Sequence, residues 1–518
     1  MKRALTLIIA FLLLAVCIPS GAFSIECSPD AELLRFNADV VRIVKEYSYI
    51  GEKDGEAYST ARIIVGCEDM LELSGALAHA RGCGRYLIQY RTPEEAKAAA
   101  EHFKTLSCVG YVVPDAPVAF DCSVGEFDSA RQQPGVNGFK SWGFGENYMN
   151  AFAYNEWLLE SVGGNADALP EIIVAVIDTG LEYDHPFFEG RTVPGWDFGD
   201  NDGDTGGGFY HGTHVAGTVV DGTLPNVKIM GLKCTDDYGG AMTSVIINCI
   251  QYAYQHGAHV ANVSMGEYFS ETVDAYASVI NAAANAGMVT CVASGNDNLN
   301  VSYCCPACIE RAFTVAAHDR DFNMWSGSNY GDFVDVTAPG VDIVSAMPNG
   351  GYQAQTGTSM ASPHAAAACA MLKSRDPEMS ADEIMSAIKN AAVDRGIAGG
   401  GTGVLCMTAL IGEITIIPGD ADGSGSVDVA DALLALRYSM GLIDAAQIII
   451  SAADINQDGT VTVSDAIIIL RKAMGFEAST LGIRCEIIPE ALFKGKYAFH
   501  ICPEIAFTSF KIAFRQSA

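Results

Sequence analysis

Ser359 closes a small glycine turn, Gly357-Thr358-Ser359, ahead of the alanine-rich run from Ala365 to Met371. A serine there sits at the start of a helix, where open backbone N–H groups and the helix dipole favour negative charge. Such a setting suits a nucleophile that must generate an oxyanion. The hydroxyl is a poor nucleophile at its own pKa and needs a base beside it. His211-Gly212-Thr213-His214 opens a run of small residues that reads as a helix, and Ile172 to Ile177 reads as a buried strand ending at Asp178-Thr179-Gly180. Taken singly, each residue fits a plain turn or cap. Together they offer a hydroxyl, a proton acceptor and a carboxylate able to hold an imidazole in one tautomer, which is the chemistry of acyl transfer.

Asp178, His211 and Ser359 also follow the chain order found in subtilisin. The three motifs, Asp-Thr-Gly, His-Gly-Thr-His and Gly-Thr-Ser-Met-Ala-Ser-Pro-His, resemble those of the subtilisin-like serine proteases (subtilases) over roughly Ser141 to Gly412. The resemblance implies Ser359 as nucleophile, His211 as the base and Asp178 as its orienting partner, with His214 and His364 structural. It implies Asn296, at the end of Ala293-Ser294-Gly295-Asn296, as a side-chain donor to the oxyanion beside the Ser359 N–H. Ser264, Met265 and Gly266 match the edge to which a peptide adds as a strand, and Ser294 and Gly295 the facing wall of the pocket before the scissile bond. Two positions depart from the family: Glu267 stands where a second glycine is usual, and Tyr210 replaces a glycine before His211. Glu267 is expected to bias the cleft towards basic side chains.

The elements that must position these groups alternate. Apolar strands are expected at Ile172–Ile177, Val227–Leu232, His259–Val263, Met288–Ala293, Ala312–Ala316 and Phe333–Val336, with small-residue helices between them and a helical lead-in from Trp142 to Leu159. Such alternation predicts an α/β fold, a parallel sheet with helices on both faces, over residues 141–412. Its catalytic loops belong at the carboxyl ends of the strands. Asp197, Asp200, Asp202 and Asp204 crowd a glycine-rich loop before His211; one further calcium site in this domain and a solvated acidic loop both fit.

Residues 1–24 read as a signal peptide, with Lys2 and Arg3 ahead of the apolar run Leu5 to Ile18. No later run is long enough to span a membrane. Residues 25–120 read as a small α+β domain: strands at Ala61–Val65, Tyr86–Tyr90 and Val109–Val113, and a helix from the capping box Thr92-Pro93-Glu94-Glu95 to about Leu106. Its position resembles the family's inhibitory propeptide; an unrelated accessory domain is the other reading. Residues 121–140 are a polar linker or processing region. Of 16 cysteines, Cys17 falls in the signal peptide, which leaves an odd number. Cys304-Cys305-Pro306-Ala307-Cys308 invites a metal reading, but no second cluster completes a ligand set.

The C-terminal region repeats one pattern. Asp420, Asp422, Ser424, Ser426, Asp428 and Asp431 occupy the ligand positions of a twelve-residue calcium loop, and Asp454, Asn456, Asp458, Thr460, Thr462 and Asp465 occupy the same positions 34 residues later. Each loop runs into an amphipathic helix. A tandem loop-helix pair of this kind resembles a dockerin, here residues 413–475. The resemblance implies two bound Ca²⁺ ions and a cohesin-bearing scaffold as partner, as in cellulosome-like assemblies, with Val429, Ala430, Val463 and Ser464 at the contact. Residues 476–518 are unassigned; Cys485 and Cys502 are a candidate bridge there.

The net charge of −31 argues against nucleic acid and anionic membranes as partners, and 49% hydrophobic residues argue for a packed core. The sequence thus predicts a secreted serine endopeptidase acting on extracellular proteins and held at a surface through calcium and a cohesin. An idle subtilase-like body used for binding, and a protease limited to its own maturation, are the alternatives.

Overall fold

The computed structural model describes residues 29–47, 60–118, 141–206, 209–236, 240–268, 270–411, 418–422, 426–443, 448–456 and 458–474. The expected signal peptide, the linker at 121–140 and the tail at 476–518 lie outside these residues, as does Ser424. The chain divides into two compact units, Met1–Ile414 and Thr415–Ala518.

Among the described residues the first unit begins with helix α1 (Pro29–Tyr47), a helix not among the expected elements. Leu33, Phe36, Val40 and Ile43 recur at helical spacing and are buried. Four strands follow, β1 (Arg62–Gly66), β2 (Ala78–Gly82), β3 (Arg85–Gln89) and β4 (Tyr111–Pro114), with helix α2 (Pro93–Phe103) between the last two. They pair antiparallel in the order β2-β3-β1-β4. The β2–β3 turn places Cys83 and Gly84 at φ 53° and 71°, a geometry that favours glycine at the second position. α2 starts at the predicted cap: Thr92 Oγ1 accepts from the Glu95 N–H at 3.2 Å and proline follows, while the Glu95 carboxylate reaches back to the Arg91 N–H at 3.0 Å rather than to that of Thr92. One sheet face, with Ile63, Val65, Tyr86 and Ile88, packs on Ala96, Ala100 and Phe103 of α2. The other, with Ile64, Leu87 and Val113, joins α1 and the body of the unit in one continuous core. The domain ends in strand β5 (Pro117–Val118).

After helix α3 (Ala151–Ser161) come β6 (Ile172–Asp178), β7 (Thr192–Asp197), α4 (His211–Asp221), β8 (Val227–Lys233), β9 (Ala241–Met242), α5 (Thr243–Gln255), β10 (Val260–Val263), α6 (Val273–Asn285), β11 (Val289–Ala293), β12 (Ala312–His318), β13 (Val336–Pro339), β14 (Ile343–Met347), β15 (Gly351–Gln355), α7 (Thr358–Arg375) and α8 (Ala381–Ala391). Seven strands form one parallel sheet in the order β13-β12-β11-β10-β6-β8-β7. β7 was not expected: Pro194 and Gly195 interrupt it, and it bulges between Val193 and Trp196 as an edge strand can. β13 lies three residues later than predicted. Side chains of β6 alternate between two cores, Val174 and Val176 on one face, Ala175 and Ile177 on the other, because successive residues of a strand point to opposite sides. Helices cover both faces. β14 and β15 form a separate antiparallel hairpin, and β5 pairs antiparallel with β9.

In the second unit α9 (Val429–Ser439) and α11 (Val463–Ala473) pack through Ala432, Ala435, Ala466 and Ile469, with the short helix α10 (Ile450–Ala453) between them. Both long helices begin with a capping box, on Asp428 and Asp431 and on Thr462 and Asp465. No helix among the described residues is long and apolar enough to cross a membrane.

Candidate active site

The strand ends of the parallel sheet gather the expected residues. Asp178 is the last residue of β6, His211 the first of α4 and Ser359 the second of α7, and all three are buried. His211 Nδ1 lies 2.7 Å from Asp178 Oδ1, so the ring donates there and Nε2 is the acceptor nitrogen. Two local devices hold this pair. Asp178 Oδ1 also accepts from the Thr179 N–H at 2.8 Å, and Thr179 Oγ1 accepts from the Gly212 N–H at 3.0 Å. Gly212 leaves the room: a Cβ at that position would stand 2.1 Å from the Gly180 carbonyl oxygen.

Ser359 is tied to the end of β10 from both sides. Its Oγ donates to the Ser264 carbonyl at 3.1 Å, and Ser264 Oγ donates to the Ser359 carbonyl at 3.1 Å. Asn262 and Ser362 extend this network at 2.8 Å each. Sequence reasoning missed this polar brace; Asn262-Val263-Ser264 and Ser359-to-Ser362 carried its signal. The hydroxyl therefore rests on a main-chain oxygen.

Asn296 stands at the start of α7, against Thr358. Its Oδ1 accepts from both the N–H and the hydroxyl of Thr358, each at 2.8 Å, which presents Nδ2 as the donor face of the amide. Ser294 and Gly295 precede it on the end of β11, next to β10 in the sheet. Gly295 has φ 102°, and a Cβ there would meet Asn329 Nδ2 at 2.3 Å, so only glycine fits. Met265 turns its side chain into the core against Cys234.

The rival histidines are committed elsewhere. His214 Nε2 faces the carbonyls of Ile343 and Gln353 at 3.0 and 3.1 Å, and His364 Nδ1 faces that of Met360 at 2.8 Å. Burial pushes both down to about 3, so both stay neutral.

One expectation is corrected. Glu267 does not line the cleft with charge. It is 2% exposed, its carboxyl accepts from Thr243 Oγ1 at 2.8 Å, and burial pushes it up to about 8. Held neutral at pH 7 and turned inward, it has no charge to offer a basic side chain. In the acidic loop, Asp197 and Asp200 face the Lys233 ammonium at 2.7 and 3.4 Å, while Asp202 and Asp204 accept backbone N–H groups.

Carboxylates do converge in the second unit. Ligand oxygens of Asp420, Asp422 and Asp431 all lie within 4.8 Å of one another. Burial raises the Asp431 pKa, with the neighbouring Asp422 charge adding to it, the strain a divalent cation relieves. In the second loop Asp454 instead accepts from the N–H groups of Asp458 and Gly459, and Asp465 from that of Thr462. Val429 and Val463 are exposed at the helix starts.

Comparison with known proteins agrees with this architecture. The profile described as Subtilase family matches residues 170–411, and that described as Dockerin type I domain matches residues 418–472. Over 212 residues the chain is 41% identical to the Thermophilic serine proteinase of Bacillus sp. (strain AK1), a match covering 39% of this chain and 52% of that protein. It is 38% identical to Thermitase of Thermoactinomyces vulgaris over 239 residues, 44% of this chain and 83% of thermitase. It is 36% identical to Subtilisin Savinase of Lederbergia lenta over 233 residues, 43% of this chain and 84% of that one. The chain thus spans about half the length of the first of these relatives and most of the other two. Carrying that similarity around the Asp178, His211 and Ser359 arrangement, the chain belongs to the subtilase family.

Proposed function

We propose that the chain is a secreted serine endopeptidase that hydrolyses extracellular proteins through an acyl-enzyme on Ser359. The observation that carries this reading is the buried 2.7 Å contact between His211 Nδ1 and Asp178 Oδ1, at sheet ends that also hold Ser359 and Asn296. Asp178 fixes the imidazole tautomer, so that Nε2 accepts the Ser359 proton as Oγ leaves the Ser264 carbonyl and attacks the scissile carbonyl. The Ser359 N–H and Asn296 Nδ2 stabilise the oxyanion. His211 then protonates the leaving amine, and water completes the second half by the same route. The peptide adds as a strand along Ser264 to Gly266, facing Ser294 and Gly295.

Residues 25–120 act as a pro-segment. The pairing of β5 with β9 and the shared core support this role. The dockerin holds the enzyme to a cohesin-bearing scaffold when its two loops are loaded with calcium. In the first loop Asp420, Asp422 and Asp431 would hold the ion with Ser424, Ser426 and Asp428; in the second, Asp454, Asn456, Asp458, Thr460, Thr462 and Asp465 would. The ion supplies positive charge that lets these crowded oxygens share one site.

The test compares residues 25–518 of wild type with Ser359→Ala, both with calcium, following the size of the chain and the digestion of an unfolded protein. Wild type alone should trim itself and digest the substrate. Trimming without digestion would point to a protease limited to its own maturation, and identical behaviour of the two proteins would remove the catalytic reading.

A further inference from the structure

We infer that Cys305 and Cys308 close into a disulfide, and that this bond braces the substrate edge at Ser264 to Gly266. The inference rests on the reading of the chain as exported and of that edge as the place where a peptide binds.

The first observation is how the turn presents the two thiols. Cys305 Sγ lies 3.1 Å from Cys308 Sγ. A disulfide needs about 2.0 Å, so the sulfurs are within about 1 Å of bonding. The main chain already holds them there. The Cys308 N–H donates to the Cys304 carbonyl at 2.8 Å, the Ile309 N–H donates to the Pro306 carbonyl at 3.1 Å, and Thr314 Oγ1 of β12 donates to the Ala307 carbonyl at 2.8 Å. Little conformational entropy is left to lose on closure. Cys304 points elsewhere: its Sγ stands 3.2 Å from where a Cβ on Gly266 would be. Among the described residues the three cysteines form no group of converging metal ligands, so the pair suits a sulfur–sulfur bond rather than an ion.

The two sulfurs differ in reactivity. Cys305 is 0% exposed and Cys308 8%. The bond from the Cys305 thiol lowers the pKa of Cys308, while that bond and burial raise the pKa of Cys305. Cys308 is therefore the attacking thiolate. It displaces one half of a small disulfide oxidant, which leaves as a thiolate; Cys305 then attacks Cys308 Sγ, and the second half leaves with the Cys305 proton. Two protein thiols are oxidised, and one small disulfide is reduced to two thiols.

The last observation couples the turn to the edge. Glu267, the residue after Gly266, exchanges two main-chain bonds with Cys305, N–H to carbonyl in each direction at 2.8 Å. A Cβ on Gly266 would meet the Cys305 carbonyl oxygen at 2.8 Å, so edge and turn are in direct contact. The Glu267 side chain is anchored on Thr243, and its main chain is fixed by Cys305.

The first test needs no activity. The Ser359→Ala chain, made in an oxidising medium, is alkylated unfolded without reductant and digested with chymotrypsin and a glutamate-specific protease, which release Cys304–Glu310. That peptide should carry a bond between Cys305 and Cys308. Alkyl groups on all three cysteines, or a bond from either residue to another cysteine, would overturn the proposal. In wild type, a small dithiol should raise KM for a peptide about fivefold with kcat little changed, the loss of about one hydrogen bond of uniform binding. Cys305→Ala together with Cys308→Ala should show the raised KM from the outset and no response to the dithiol; Cys308→Ala alone serves if the double variant does not fold. A wild-type KM that ignores the dithiol once the bond is reduced would remove the bond from the edge. If wild type digests nothing, the catalytic reading fails while the peptide mass still decides the bond, and faster hydrogen exchange of the Glu267 N–H on reduction then reads the brace in place of KM.

Discussion

Asn296 Oδ1 takes two hydrogen bonds from Thr358, one from its N–H and one from its hydroxyl, each 2.8 Å long. The residue before Ser359 thereby sets which way the Asn296 amide faces. Asn296→Ala should lower kcat by about 10²–10³-fold with little change in KM, a range characteristic of subtilisin-type oxyanion donors rather than one read from these distances. Thr358→Val keeps the N–H bond and loses the hydroxyl, which also accepts from the Gly295 N–H at 3.1 Å; at about 1 kcal/mol for each neutral hydrogen bond, kcat should fall about fivefold or more. Steady-state kinetics on one peptide substrate separates the two. An Asn296→Ala enzyme with full kcat would remove Asn296 from the site.

Asp178→Asn should leave the fold in place and lower kcat by about 10⁴-fold, because an amide no longer demands a donating Nδ1 and the ring takes the wrong tautomer. The measurement is the rate of acylation by an active-site titrant, with thermal unfolding as the control.

Glu267 links stability to pH. Its folded pKa of about 8 stands above the ordinary glutamate value of about 4.3. Between those values the native state binds a proton that the unfolded state has lost, so stability falls as pH rises. The contribution is fully present below about pH 4 and gone above about pH 8. Glu267→Gln carries no such proton and should flatten the decline, with Tm of the Ser359→Ala chain rising relative to its Glu267 parent as pH goes from 5 to 8.5. The same substitution should leave the preference between Lys- and Leu-containing peptides unchanged. A shift in that preference would restore a role for Glu267 in the cleft.

Calcium at 100 times its dissociation constant should stabilise the dockerin by about 2.7 kcal/mol for each loaded loop. Calorimetry of the Ser359→Ala chain should show one transition that moves up with calcium and down with chelator. Asp431→Ala should reduce the upward shift most, since Asp431 both joins the carboxylate cluster and closes the capping box of α9.

Local chemistry was readable, and what depended on distant partners was not. The strand ending at Asp178, the capping box at Thr92 and the two loops ending at Asp431 and Asp465 are short motifs whose residues act on their immediate neighbours. α1 shows a plain 3–4–3 spacing of Leu33, Phe36, Val40 and Ile43, yet nothing in its own sequence says that α5 is what it packs against. β2 reads Ala-His-Ala-Arg-Gly, with no apolar run, and is a strand because β3 pairs with it. Glu267 was misread for the same reason: a carboxylate beside a substrate edge suggests charge in the cleft, and only the fold shows it turned inward onto Thr243.

The order of synthesis gives the shared core another meaning. Val113 completes the first sheet, and α5, which lies in the core behind that sheet's second face, begins at Thr243, about 130 residues later. At roughly 5–20 residues per second, that face waits on the order of ten seconds or more for its cover. During that interval Ile64, Leu87 and Val113 form a half-finished apolar surface next to an unpaired strand edge. The newborn chain is therefore most prone to stick to its neighbours before Ser359 has been made, and whatever escorts it must act on that first sheet.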